Sequence, residues 1–306
     1  MFRLAHISDI HLGPLPPFNR WQLMSKRITG YMNWKLNRRA SMQKNVLGDL
    51  IEHMKNATPD HIALTGDLVN LALPEEITRM REWLDGLAPA EQLSVILGNH
   101  DTYVASAVTP TMNAWRPYME GDIAKSGSPF PYRRDRGKVT IIGANSGVPT
   151  LPFMATGLFD KQQATDLESH LNDAKTKGQF RVVMIHHPPF ENATQWSKRL
   201  IGDDLFRSVI ARCGAELILH GHTHIESFEW IEGQTNKVPV IGVPSASKAP
   251  PQNAMGKHYK PGARYNLFEI SGEQDNWSCT MNQFGYEDCA REISGLGSFD
   301  IYEDQT

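Results

Sequence analysis

Five short apolar runs in this chain stop at a polar tip. Residues 93–97 lead into Gly98, Asn99, His100 and Asp101; residues 2–7 into Ser8, Asp9, Ile10 and His11; residues 61–65 into Gly66 and Asp67. Residues 181–185 lead into His186 and His187, and residues 215–219 into His220, Gly221, His222, Thr223 and His224. Runs of this length bounded by glycine and polar residues predict buried strands, and glycine permits the tight turn that presents the next side chains beyond the strand's carboxyl end. Between the runs, apolar positions three and four apart predict helices: Val46, Leu47, Leu50, Ile51 and Met54; Ile77, Met80, Trp83, Leu84 and Leu87; Ala164, Leu167 and Leu171; and residues 203–213. Alternating strands and helices make the class α/β and the five strands parallel neighbours. Their tips are then expected to converge on one crevice outside the carboxyl ends.

The other patterns are less regular. Residues 139–143 predict a further strand, residues 121–138 a loop, and Met112, Trp115 and Tyr118 a short segment near the tips. From residue 225 four strand-like stretches, 226–232, 238–243, 263–270 and 276–284, suit antiparallel pairing and are expected to complete a second sheet against the first. Residues 1–285 read as a single domain with a basic helical insertion at about 14–45, and residues 286–306 as an acidic surface extension.

The insertion changes the charge picture. Between residues 14 and 40 stand Arg20, Lys26, Arg27, Lys35, Arg38 and Arg39 without one acid, interleaved with Phe18, Trp21, Met24, Ile28, Tyr31, Met32, Trp34 and Leu36. Such a segment can wall a pocket for an anionic substrate, rest on a membrane surface, join two subunits or cap the core. The whole chain, 306 residues with 40% hydrophobic and 21% charged, has the composition of an ordinary soluble enzyme, and its net charge of -3 gives no general attraction for nucleic acid. Cys213, Cys279 and Cys289 offer neither a disulfide framework nor a cysteine metal motif. A strand stands at the start where a signal sequence would be, and no stretch is long and apolar enough to span a membrane, so a cytoplasmic location is expected.

Chemistry enters through the tips. Asp9 and His11, two apart, would share one side of a regular strand, and His220 and His222 repeat that spacing about Gly221. Asp67 can bridge two ions, Asn99 can offer a neutral carbonyl oxygen, and His186 adds an imidazole. Seven such groups are too many for one tetrahedral zinc and suit two five- or six-coordinate ions. Asp9-Ile10-His11, Gly66-Asp67, Gly98-Asn99-His100-Asp101, His186-His187-Pro188-Pro189 and His220-Gly221-His222-Thr223-His224, in this order, closely resemble the calcineurin-like metallophosphoesterase family over roughly residues 1–245. The resemblance implies a four-layer sandwich, two mixed β-sheets flanked by helices. It implies that Asp9, His11, Asp67 and His222 surround one ion and Asp67, Asn99, His186 and His220 the other, with manganese or iron favoured and zinc able to substitute. His100 then looks like the histidine that contacts the phosphate and protonates the leaving group. Asp101 would either set its tautomer or accept hydrogen bonds in a turn.

His187, His224, Asn145 and Arg20 are the candidates for substrate binding. Packing is the competing role for His187, a turn for Asn145, and a rim position for His224. The expected reaction is hydrolysis of a small anionic phosphoester by metal-activated hydroxide, a small or nucleotide phosphodiester first, on the pattern of bacterial broad or cyclic-nucleotide phosphodiesterases. The basic aromatic insertion favours a lipid-linked phosphate or pyrophosphate as the alternative, and DNA cleavage ranks lower. A catalytically silent scaffold would be expected to lack ligands, and none is missing. Stable nucleic-acid binding is not expected, whereas peripheral membrane contact and self-association are both open to the insertion.

Overall fold

The computed structural model of the protein describes residues 1–38, 42, 44–123, 127–250, 260–287 and 292–302. In chain order the described strands are β1 (Phe2–Ile7), β2 (His61–Leu64), β3 (Leu93–Val95), β4 (Tyr132–Arg136), β5 (Val139–Gly143), β6 (Gly157–Leu158), β7 (Phe180–Met184), β8 (Leu200–Ile201), β9 (Leu217–His220), β10 (Ser227–Ile231), β11 (Val238–Gly242), β12 (Arg264–Glu273), β13 (Asn276–Tyr286) and β14 (Ile293–Asp300). The α-helices are α1 (Arg27–Asn33), α2 (Lys44–Asn56), α3 (Pro74–Leu87), α4 (Ala105–Met119), α5 (Lys161–Thr176) and α6 (Asp203–Cys213).

Strands β2, β3, β5, β7, β9 and β11 are buried along their whole length, which is why they read as continuous apolar runs without alternation. They sort into two sheets of mixed direction. One runs β14-β13-β12-β1-β2-β3 with a parallel half, β1 to β3, and an antiparallel half, β12 to β14. The other runs β10-β11-β9-β7-β5-β4, parallel from β11 to β5 and edged by antiparallel β10 and β4. Alternation across the pleat divides the second sheet's side chains. Val182 and Met184 of β7, with Leu217 and Leu219 of β9, join the core shared with the first sheet. Val183 and Ile218 turn outward onto Leu167 and Leu171 of α5 and Phe206 and Ile210 of α6. Helix α2 packs on β12 and α4 on β3, so helices flank both sheets in four layers.

Four features depart from the pattern-based reading. The five tipped strands belong to two sheets, β1, β2 and β3 to one and β7 and β9 to the other. Their carboxyl ends still meet, because Ser8 bridges Ser245 just beyond β11 and ties the two sheets together there. The stretch 121–138 contains β4, whose Arg133 and Asp135 gave it a loop's composition; charge of this kind suits a sheet edge. The short segment around Met112 is a helix of 15 residues that tolerates Pro110 and Pro117. Within the acidic tail, residues 293–300 form β14, a mostly exposed edge strand. The stretches after residue 225 complete both sheets, β10 and β11 the second and β12 to β14 the first.

Candidate metal centre

The strands stop short of the groups they present. β1 ends at Ile7 and β9 at His220, and the chemistry lies in the turns beyond. Asp9, His11, Asp67, His222 and His224 all have left-handed backbones, with φ between 42° and 70°. Residues other than glycine take this conformation at a cost of about 1–3 kcal/mol each, and a packed surrounding has to hold them in it. Two glycines make the close packing feasible. A Cβ on Gly98 would lie 2.2 Å from Asp67 Oδ1, and one on Gly221 would lie 1.9 Å from Ser8 Oγ.

Two groups of donors result. Asp9, His11, Asp67 and His224 are all buried, with their ligand-capable atoms within 4.8 Å of one another. His224 Nε2 is 2.9 Å from Asp9 Oδ1 and 3.3 Å from His11 Nε2. Asp67 turns one oxygen to each group: Oδ2 lies 3.8 Å from His11 Nε2, and Oδ1 lies 3.5 Å from His186 Nε2. In the second group, His222 Nδ1 is 2.9 Å from Asn99 Oδ1, and the His186 and His222 rings are 5.2 Å apart.

Backbone carbonyls from one segment aim three of the imidazoles. Thr65 O accepts from His186 Nδ1 at 2.6 Å, Val69 O from His11 Nδ1 at 3.1 Å, and Asn70 O from His100 Nδ1 at 2.6 Å. A carbonyl only accepts, so each Nδ1 carries a proton, and in the neutral rings the lone pair sits on Nε2. Lone pairs on His11 and His186 therefore face the oxygens of Asp67, acceptor against acceptor. Among the described residues, buried His186 Nε2 has no partner in hydrogen-bond geometry, with Asp67 Oδ1 3.5 Å away, and the close neighbour of buried Asp9 Oδ1 is His224 Nε2 at 2.9 Å. Only a cation between these atoms reconciles such an arrangement with burial, and nitrogen with carboxylate oxygen is the donor set of a transition-metal site. A proton is the simplest cation: burial pulls His186 down, yet neighbouring Asp67 outweighs it and lifts the ring to about 9. Burial works against the charge on Asp67 too, but His186 and His100 hold it well below the usual carboxylate range. A metal ion would take the proton's place.

The expected site residues fall into distinct positions. Asp9, His11, Asp67, Asn99, His186 and His222 come together, and His224 stands where His222 was expected, beside Asp9 and His11. His220 does not join the cluster. It is the last residue of β9, with Nε2 3.0 Å from Ser227 Oγ and Nδ1 donating to Gly221 O. Spacing of two pointed to the pair 220 and 222, but the strand ends before Gly221, so the pair presented together is 222 and 224. Asp101 does not touch the His100 ring, whose tautomer is set by Asn70 O. Its carboxylate accepts instead from the backbone N–H groups of Asp67, Leu68, Val69 and Gly98, the turn role. His187 stands within the second group, its ligand-capable atom within 4.8 Å of those of His186 and His222, but it donates from Nε2 to Ala155 O and accepts from Ser146 Oγ at Nδ1, so both its nitrogens are already engaged. Asn145 bonds Gly147 in its own loop and Gln163 of α5, and Arg20 is exposed outside the cavity.

The cluster opens into a cavity of about 640 Å³ lined by Asp67, Asn99, His100, His222 and His224. Its wall includes part of the basic segment, here a 3-10 turn (Arg20–Leu23), α1 and a π turn (Trp34–Arg38). Buried Arg27 fixes α1 by donating to Leu71 O and Ala72 O. Lys26 enters the cavity, bonded to Thr150 and Met154 O and 4.7 Å above the Tyr103 ring, which itself stacks on His100. Lys198, Lys248 and Lys260 complete a cationic lining. Of these lysines only Lys26 lay in a stretch whose composition drew notice; lone lysines in polar loops leave no signal.

A two-sheet α/β sandwich with paired carboxylate and imidazole groups at its strand tips defines the class. The calcineurin-like phosphoesterase profile matches residues 2–226, and the chain belongs to that family. Among curated proteins none matches it in sequence. Similar solved structures include a dimetal phosphatase from Danio rerio, 12% identical with 98% of each chain covered and a TM-score of 0.61. Purple acid phosphatase PPD1 from Lupinus luteus is 11% identical over 98% of this chain and 53% of that one, with a TM-score of 0.59. At these identities the likeness is one of fold alone.

Proposed function

We propose that the protein hydrolyses phosphodiesters at a dinuclear metal centre. The observation behind this reading is Asp67, whose two oxygens face two separate donor groups at the floor of one cationic cavity. Asp9, His11, Asp67 and His224 would hold one ion, and Asp67, Asn99, His186 and His222 the other. Relative to the family-based expectation, His224 takes the place of His222 and His222 that of His220. When bound, such ions neutralise phosphoryl oxygens and lower the pKa of water at the site.

The chain's own groups do the rest. His100, locked through Nδ1–H to Asn70 O and stacked on Tyr103, gives a proton to the leaving oxygen from Nε2 when the ring is in its imidazolium form. Lys26 is pulled down to about 8 by burial, with Asp67 opposing, and so keeps its charge at neutral pH as an anchor for an anion. A diester is favoured over a monoester because it presents less negative charge to Asp9 and Asp67 while still needing a protonated leaving group.

A metal-replete panel tests this. Aryl and nucleotide diesters, cyclic and linear, should show higher kcat/KM than an aryl monoester, and Asp67→Ala should remove activity on all of them. Turnover of the monoester above every diester would replace the diester reading with a phosphatase one.

A further inference from the structure

The outer side of the basic segment carries an uncovered apolar row. Ile28 and Met32 follow at a four-residue step along α1, Trp21 and Met24 stand in the turn before, and all four are between 55% and 74% exposed; Leu36, 77% exposed, continues the row on the π turn, where it also lines the cavity. At the cavity mouth Leu151 and Phe153 are 76% and 86% exposed. The segment's other sides are already engaged. Arg27 is bonded to Leu71 O and Ala72 O, Tyr31 packs on the core, and Lys26, Thr29 and Asn33 face the cavity. The row is therefore surplus to the core, and a contiguous apolar surface of this kind marks an interaction site.

Charge selects the occupant. Exposed Arg20 and Lys35 flank the row, exposed Lys198 with Lys248 and Lys260 line the adjoining cavity, and the exposed acid beside the row is Glu75 of α3, already bonded to Gln22. Large apolar side chains beside cations, on a helical segment without acids, match an anionic bilayer surface. A second copy fits less well, because a two-fold contact would bring this cationic, acid-free segment against the same segment of the other copy. We infer that this face seats the protein on an anionic lipid bilayer, so that the cavity opens onto phosphoesters carried by lipid. The chemistry at the cavity rests on the phosphodiesterase reading above; the seating does not.

Co-sedimentation of the whole protein with phosphatidylcholine vesicles, with and without phosphatidylglycerol, tests the seating independently of turnover. The wild type should pellet with the anionic vesicles and less so at raised salt. A variant with Met24→Glu, Ile28→Glu and Met32→Glu, all exposed positions outside the cavity, should partition at least about tenfold less. Its circular dichroism and its kcat/KM on a soluble aryl diester should be unchanged. Equal partitioning of variant and wild type, or none by the wild type, overturns the inference. So does light scattering that shows a dimer which the triple substitution dissociates. If the vesicles are bound but no diester is turned over, the seating stands and the phosphodiesterase reading fails.

Discussion

Asp67 reaches both donor groups because glycine at 98 lets the β3 turn lie against its carboxylate, and because its own left-handed backbone lifts the side chain off the strand line. His100 sits next to this pair without entering it. Replacing His100 by alanine should leave the metal content near that of the wild type and lower kcat by on the order of a hundredfold or more for esters with poor leaving groups. The loss should shrink for nitrophenyl esters; equal loss across leaving groups would mean that His100 positions phosphate and does not donate a proton. Most of these residues were legible in the sequence, since aspartate, histidine and asparagine at the ends of apolar runs have few other reasons to recur. What spacing could not decide was which two of His220, His222 and His224 belong together. That depends on β9 ending at His220, and two registers of the same alternation look alike in one dimension.

The segment from Thr65 to Asn70 behaves as one part, holding three imidazoles by its carbonyls and held in turn by two buried carboxylates. Asp101 accepts four backbone N–H groups from the turns after β2 and β3, and Glu76, in the first turn of α3, accepts those of Asn70, Leu71 and Leu73. Asn in place of Asp101 keeps the shape but turns an NH2 toward two of those donors. At about 1–3 kcal/mol per buried unsatisfied group, Asp101→Asn should cost roughly 2–6 kcal/mol in denaturant unfolding and weaken metal binding with it. An unchanged midpoint would show that the turns hold themselves. Element positions were legible wherever both faces of a strand, or one face of a helix, are buried, as for α6, expected and found at residues 203–213. Edge strands β4 and β14 were not, because solvent on one side removes the apolar signal, and helix α4 was obscured by its prolines.

At the scale of the whole molecule, parallel strands of two sheets end at the same edge and build one site from residues more than two hundred positions apart. Burial of imidazoles inside this frame has a consequence for acid stability. His61, in β2, is bonded to Ser94 through Nε2, and its Nδ1 has no partner among the described residues. Burial, with Arg134 and Arg136 nearby, pushes it down to about 3, against 6.5 for an exposed ring. Between those values the unfolded chain binds a proton that the folded one refuses, so stability is full above about pH 6.5 and falls on acidification by about 1.4 kcal/mol per pH unit for this group. His61→Asn should flatten the pH dependence of unfolding by about one proton over that range; an unaltered slope would mean that His61 titrates normally. The proposed dinuclear centre is tested most directly by anomalous diffraction from metal-loaded crystals. Two ions sharing Asp67 should appear, with His224 on one, His222 on the other and His220 on neither. A single tetrahedral ion, or one bound through His220, would contradict the site described.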